Sequence, residues 1–219
     1  MNPFLDLLLF LATLIYSYLE AFVKLFVPVK RKSVSGELVL ITGAGHGVGR
    51  ATAFEFAKRQ SRLVLWDINK TTRAFLPAMM NNNHGHIVTV ASAAGHFVTS
   101  FMVAYCSSKF AAVGFHKALT EELSTLGKDG IKTTCLCPVF INTGFVKNPS
   151  TRLGKILEIE EVVEALMEGI LTNQKMIFVP SHLTIALLSE MLFPERALNF
   201  LKKLTNAKFD AVIGQRSTQ

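Results

Sequence analysis

Tyr105 and Lys109 stand four residues apart in the stretch S-A-A-G-H-F-V-T-S-F-M-V-A-Y-C-S-S-K, which opens at Ser92. On a helix that spacing places phenol and ammonium on one face, and a cation beside a phenol favours its ionised form. Tyr105 then reads as an acid/base near neutral pH. Ser92 lies thirteen residues upstream, after the strand-like run H-I-V-T-V-A at 86–91. A hydroxyl at the C-terminal end of a parallel strand points into a cleft, so the three residues read as a proton-transfer site. Alone, Y-x-x-x-K fits a solvated helix face better than a site, and the elements that must position it change that balance.

The first of these is a short β-branched run at 37–41, E-L-V-L-I, which reads as a buried parallel strand. It feeds directly into T-G-A-G-H-G-V-G at 42–49 and a helix-period run at 51–59. Glycines there let the backbone approach a pyrophosphate, whose charge the free N–H groups of the helix start receive. A second strand, 62–66, ends at Asp67, about 20 residues past the glycines, where a carboxylate accepts hydrogen bonds from an adenosine ribose and repels a 2'-phosphate. The order strand, turn, helix, strand, acid predicts a dinucleotide site that favours NAD over NADP.

At 219 residues and 50% hydrophobic content the chain suits one α/β domain with a real core. The net charge of +7 comes without zinc-finger spacing, an aromatic RNA-binding motif or a long basic run, so no nucleic-acid partner is expected. Basic residues instead adjoin apolar segments, as Lys30-Arg31-Lys32 and Lys202-Lys203, which suits an anionic membrane surface or ordinary solvated charge. Cys106, Cys135 and Cys137 have no metal-ligand spacing and read as reduced thiols of a cytosol-facing domain. The six histidines, at 46, 84, 86, 96, 116 and 182, show no metal spacing either, and no chemistry is assigned to them.

Residues 1–32 are expected to form an anchor, with residues 33–219 as the folded domain. Thirteen uncharged residues run from Leu7 to Leu19, short of the roughly 20 that a full span requires. Asp6 and the lack of early positive charge disfavour a cleaved signal peptide. The expectation is an uncleaved monotopic or hairpin insertion, or a marginal span, followed by a basic flank on the cytosolic side. The alternative is a buried amphipathic helix.

Taken together, T-G-x-x-x-G-x-G at 42–49, Ser92 and Tyr105-x-x-x-Lys109 resemble the short-chain dehydrogenase/reductase superfamily. The text around them, K-R-K-S-V at 30–34, V-L-W-D-I-N-K at 64–70 and Y-C-S-S-K-F-A-A-V-G-F-H at 105–116, resembles its branch of 17-beta-hydroxysteroid dehydrogenases of types 11 and 13, type 11 more nearly. The resemblance implies a doubly wound parallel sheet. It makes Tyr105 the general acid/base, Ser92 the hydrogen-bond partner of the substrate oxygen, and Lys109 the holder of the nicotinamide ribose that also depresses the Tyr105 pKa. It gives Gly43, Gly47, Val48 and Gly49 to the pyrophosphate. The implied chemistry is NAD-dependent oxidation of steroid, retinoid or other lipid alcohols at endoplasmic reticulum and lipid droplets, with a homodimer as one possible assembly.

Where the family has two strand–helix units after the segment ending at Lys70, this chain passes straight to Thr71. The strand ending in N-N-A-G, an adenine-contacting Asp and a relay Asn have no counterpart, a gap of roughly 60–80 residues at about 30 per βαβ unit. The strand before the glycine turn and the strand before Ser92 thereby lose the neighbour between them. Either they pair directly, which displaces the two halves of the site by about 4.8 Å, or a hole remains. The expectation is a shortened splice form or an incomplete gene model of an active dehydrogenase, unstable and weakly active or inactive. Beyond the gap, a strand at 131–137, an amphipathic helix at 160–171 and a last strand at 176–179 follow the family pattern. Thr143, in P-V-F-I-N-T at 138–143, is expected either to bind the nicotinamide carboxamide or to cap a loop. Residues 144–155 resemble a mobile substrate loop. The apolar stripes at 183–193 and 197–204 suit a lipid-substrate mouth, a membrane surface, or core and dimer contacts.

Overall fold

The computed structural model describes residues 12–13, 15–16, 18–20, 22–23, 31–42, 44, 47–66, 71–98, 101–143, 146–147, 156–192 and 211–212. It divides into two compact units, Met1–Lys32 and Ser33–Gln219. In the first, the described residues between 12 and 23 are helical, and Ile15, Tyr16, Tyr18, Leu19, Phe22 and Val23 are exposed. Among the described residues no helix is long and apolar enough to cross a membrane.

The second unit alternates strand and helix: β1 (Leu38–Thr42), α1 (Gly47–Lys58), β2 (Arg62–Trp66), α2 (Thr71–Asn82), β3 (Gly85–Val90), α3 (Val103–Thr125), β4 (Ile131–Pro138), β5 (Val146–Lys147), α4 (Ile159–Leu171), β6 (Met176–Val179), α5 (Leu183–Leu192) and β7 (Ala211–Val212). A single 3-10 turn, Ala93–Gly95, intervenes between β3 and α3. The pairings β1–β2, β3–β4 and β4–β6 are all parallel, which the sequence implied by placing a helix or long connection between successive strands. Strand β4, I-K-T-T-C-L-C-P, is buried along nearly its whole length, as a central strand covered on both faces must be. The short β5 and β7 pair antiparallel.

One expectation is corrected here. The parallel strands do not form one continuous doubly wound sheet. β1 and β2 form one sheet and β3, β4 and β6 another, and β1 and β3 do not pair. Of the two outcomes posed above, closure of β1 onto β3 is the one not seen. Side chains join what backbone does not: Val39, Ile41 and Leu63 from the small sheet pack with Leu136 of β4 through Phe56 of α1 and Leu166 of α4. Each such buried side chain contributes about 1.5–3 kcal/mol relative to exposure. Helix α4 starts firmly, with Glu160 and Glu161 in its first turn where the helix dipole favours negative charge, and the Glu158 N–H donating to Glu161 Oε2 at 3.1 Å.

Candidate active site

Ser92 sits just past the end of β3 in extended backbone, φ −171° and ψ 161°, and caps the 3-10 turn by accepting from the Ala94 N–H at 3.2 Å. Its hydroxyl donates to the Pro138 carbonyl at the end of β4, 3.2 Å away, so two neighbouring strand ends fix it. The Ser92 hydroxyl also opposes the rise of the Tyr105 pKa, as a donor to the phenolate does.

Tyr105 lies in the first turn of α3, half-buried against Met102, Cys106 and Ala94. Gly95 makes this approach possible. A Cβ built on it would lie 2.6 Å from the Lys109 carbonyl oxygen and 2.7 Å from Val113 Cγ2, so only a glycine lets the turn holding Ser92 rest on the helix holding Tyr105. Sequence reasoning did not single out Gly95. Its only signal is a glycine one turn after a candidate hydroxyl.

Lys109 lies on the same helix face, its Nζ 5.6 Å from the centre of the Tyr105 ring. The ammonium donates to the Val90 carbonyl at 3.2 Å. The reason lies in the split sheet. The Ala91 N–H donates to Leu136 of β4 at 2.9 Å, so Val90, whose backbone groups point the opposite way, faces the edge of β3 on which no described strand lies. Lys109 satisfies a carbonyl that a neighbouring strand would otherwise take.

The expected depression of the Tyr105 pKa is therefore corrected. Burial raises it above the ordinary tyrosine value, with the Ser92 hydrogen bond opposing and Cys106 adding to the rise. Burial also lowers Lys109, against the pull of the Cys135 and Cys137 thiols. Those thiols form a buried cluster close to the site. Cys137 Sγ lies 3.8 Å from Cys135 Sγ and 3.7 Å from His96 Nε2, and its contact with Cys135, then burial, pushes the Cys137 thiol up. Among the described residues no group of three metal-ligating side chains is placed to hold an ion.

The cofactor-side residues form a second cluster. Helix α1 begins at Gly47, whose φ of +54° is a left-handed conformation that favours glycine, and the first-turn N–H groups of Gly47, Val48 and Gly49 have no partner within the helix. The Val48 side chain packs into the core, so only its backbone remains for a ligand. Thr143 comes from the opposite half of the chain, yet its Cγ2 would lie 3.7 Å from a Cβ on Gly47. The structure thus joins Gly47 to Thr143 in one place and Ser92, Tyr105 and Lys109 in another. Gly43 and Asp67 lie outside the described residues.

Residues 68–153 match the family model described as short chain dehydrogenase. Estradiol 17-beta-dehydrogenase 11 of Rattus norvegicus is 48% identical over 296 aligned residues, covering 99% of each chain, and 17-beta-hydroxysteroid dehydrogenase 13 of Homo sapiens is 47% identical with the same coverage. Among solved structures, a short chain dehydrogenase/reductase from Burkholderia phymatum in complex with NAD superposes with a TM-score of 0.61 at 19% identity, over 80% of this chain and 98% of that one. A short chain dehydrogenase from Burkholderia cenocepacia in complex with NADP gives 0.64 at 16% identity, over 80% and 100%. The structures carry the fold and the relatives carry the family: this chain belongs to the short-chain dehydrogenase/reductase family, alongside the 17-beta-hydroxysteroid dehydrogenases 11 and 13.

Proposed function

We propose that the chain is an NAD-dependent oxidoreductase acting on the secondary alcohol of steroids or related lipid alcohols such as retinol, in an internally shortened and catalytically weakened form. The observation that carries this reading is the seating of the Ser92 turn on the helix that bears Tyr105, through Gly95, with Lys109 one turn further along and its Nζ 5.6 Å from the Tyr105 ring centre. The names of the relatives support the steroid alcohol as substrate class. The two solved structures hold NAD in one case and NADP in the other, so a nicotinamide cofactor is supported and the preference for NAD rests on Asp67.

The residues present fit such a group. The open first turn of α1 offers N–H donors to a pyrophosphate, and Thr143 lies beside Gly47. When bound, the nicotinamide supplies the hydride acceptor. Everything else falls to the chain: Ser92 orients the alcohol oxygen, Tyr105 takes its proton, and Lys109 leaves the Val90 carbonyl to hold a ribose hydroxyl and favour the phenolate.

Shortening between Lys70 and Thr71 is supported by arithmetic. An alignment of 296 positions against 219 residues leaves 296 − 219 = 77 positions or more without a residue in this chain. The break between β1 and β3 supports the same reading. The exposed apolar residues within Met1–Lys32 and the basic flank support attachment to endoplasmic reticulum or lipid droplets. A second reading, a catalytically impaired droplet-associated or partner-binding protein, is favoured by the engagement of Lys109 with Val90.

Formation of NADH from NAD with estradiol and with retinol separates the two readings. The oxidoreductase reading predicts slow turnover that Tyr105→Phe lowers by about 100- to 10,000-fold at unchanged thermal stability. Folded chain without measurable turnover leaves the second reading.

A further inference from the structure

Two of the three cysteines stand at alternate positions of β4, and neither takes part in the reaction proposed above. Cys135 and Cys137 are fully buried, with their Sγ atoms 3.8 Å apart on one face of the strand. They pack in one cluster with Ala91, the residue before Ser92. Around Cys137 Sγ lie Met176 Sδ at 3.6 Å and His96 Nε2 at 3.7 Å. The His96 ring is only half-buried, so water reaches one neighbour of the pair. Cys106 packs elsewhere, with Met102, Tyr105 and Ala94.

A buried thiol is ordinarily inert, because the thiolate is the nucleophile. Here the contact with Cys137 lowers the Cys135 pKa against burial, and Lys109 and Lys117 add to the fall. Cys135 is therefore the sulfur with thiolate character and Cys137 the one that keeps its proton. The backbone permits a bridge between them. Two strand rises of about 3.3 Å put their Cα atoms roughly 6.6 Å apart, at the upper end of the range of about 4.4–6.8 Å that disulfides span. Closure draws them toward the common spacing of about 5.5–6 Å and pinches the strand at Leu136. The Leu136 carbonyl accepts from the Ala91 N–H at 2.9 Å, and Pro138, directly after the pair, holds the Ser92 hydroxyl at 3.2 Å. Both bonds sit on the stretch that closure moves.

We propose that Cys135 and Cys137 are a redox modification site: a small hydroperoxide joins them as a disulfide, and the closed bridge loosens Ser92 from β4, so that oxidation silences the proton-transfer site and reduction restores it. The Cys135 sulfur takes one peroxide oxygen as the O–O bond breaks, and the hydroxide that leaves takes up the proton Cys135 had lost. The Cys137 sulfur then attacks the resulting sulfenic acid, the S–O bond breaks, and a second water leaves with the Cys137 proton. Two thiols lose two electrons and one peroxide becomes two waters. The effect on turnover rests on the oxidoreductase reading above; the bridge and the loosening of Ser92 do not.

The test uses the full chain in detergent, reduced and then exposed to hydrogen peroxide, with remaining thiols alkylated afterwards in denaturant. Trypsin cuts after Lys132 and Lys147 and releases both cysteines in one peptide. After peroxide that peptide should be unalkylated and two hydrogen masses lighter than its reduced form, dithiothreitol should reverse the change, and Cys106 should remain open to alkylation. Hydrogen/deuterium exchange in the peptide that spans Ala91 should speed about tenfold or more on oxidation and slow again on reduction. In Cys135→Ser, peroxide should leave that exchange unchanged; the measurements on the unmutated chain decide the question whether or not this variant folds. Thiols at 135 and 137 that stay separate while the chain is folded, a bridge to Cys106 or to a second chain, or a bridge that leaves exchange at Ala91 unmoved would overturn the inference. None of these readouts depends on NAD turnover, so a chain that bridges and loosens Ala91 yet never forms NADH counts against the dehydrogenase reading alone.

Discussion

Strand β4 is paired on both edges and buried on both faces, while β1 is paired on one edge only and leaves Leu38 57% exposed. The two strands carry the two halves of the site. β4 fixes Ser92 through the Pro138 carbonyl, and β1 leads to the glycine turn. The difference shows that the Ser92–Tyr105–Lys109 cluster is built locally, from one strand end, one turn and one helix, whereas the approach of Thr143 to Gly47 joins residues far apart in the chain. The first is present despite the split between β1 and β3; of its two departures from expectation, the raised Tyr105 pKa comes from burial and Lys109 on Val90 occurs at the split edge.

If the two sheets differ as described, truncations in them should differ most. Leu136→Ala in β4, at 0% exposure, should cost about 2–5 kcal/mol in denaturant unfolding, and Leu38→Ala in β1 about 0.5 kcal/mol or less. Equal costs would break the comparison. A step smaller, Gly95→Ala should cost about 1–3 kcal/mol by forcing the 3-10 turn off α3, and should lower NAD turnover with it by parting Ser92 from Tyr105. Turnover retained at wild-type level would mean that the turn is not what holds the pair.

The pH dependence should be smaller again. Burial lowers the pKa of His96, and Lys117 adds to it; burial likewise lowers His116, against the Lys175 backbone carbonyl, which favours the protonated ring. With folded values below the unfolded value of about 6.5, the unfolded chain binds more protons as pH falls. Stability should thus be flat above about pH 7 and decline as pH drops below 6.5 toward the folded values. Thermal midpoints from pH 8 to pH 5 check the sign, and His116→Leu should flatten the slope. The smallest effect is expected at the surface pairs of Glu55 with Lys58 and Arg59, both at 2.6 Å, where Glu55→Gln should change stability by about 0.5 kcal/mol or less.

Much of this was legible in the residues. The i, i+4 spacing put Tyr105 and Lys109 on one helix face because helix geometry is local, and the alternation of apolar runs with turns gave the parallel strands because burial on both faces leaves that pattern. The direction of the Lys109 ammonium was not legible, since it depends on which edge of β3 lacks a neighbour. The raised Tyr105 pKa was not legible either: spacing reveals a nearby cation, but the desolvation that raises the pKa comes with the packing of Met102, Cys106 and Ala94 around the phenol. Gly95 was hidden because its constraint comes from Val113, eighteen residues further on.

The claim on which the account depends is that the glycine turn, the α1 start and the Ser92–Tyr105–Lys109 cluster still form one cofactor site across the split. Thermal unfolding of the purified full chain in detergent, with and without NAD, tests it most directly. At a hundredfold excess over the dissociation constant, NAD should add about 2.7 kcal/mol and raise the midpoint by roughly 5–10 °C. A cooperative transition that NAD leaves unmoved would contradict the account.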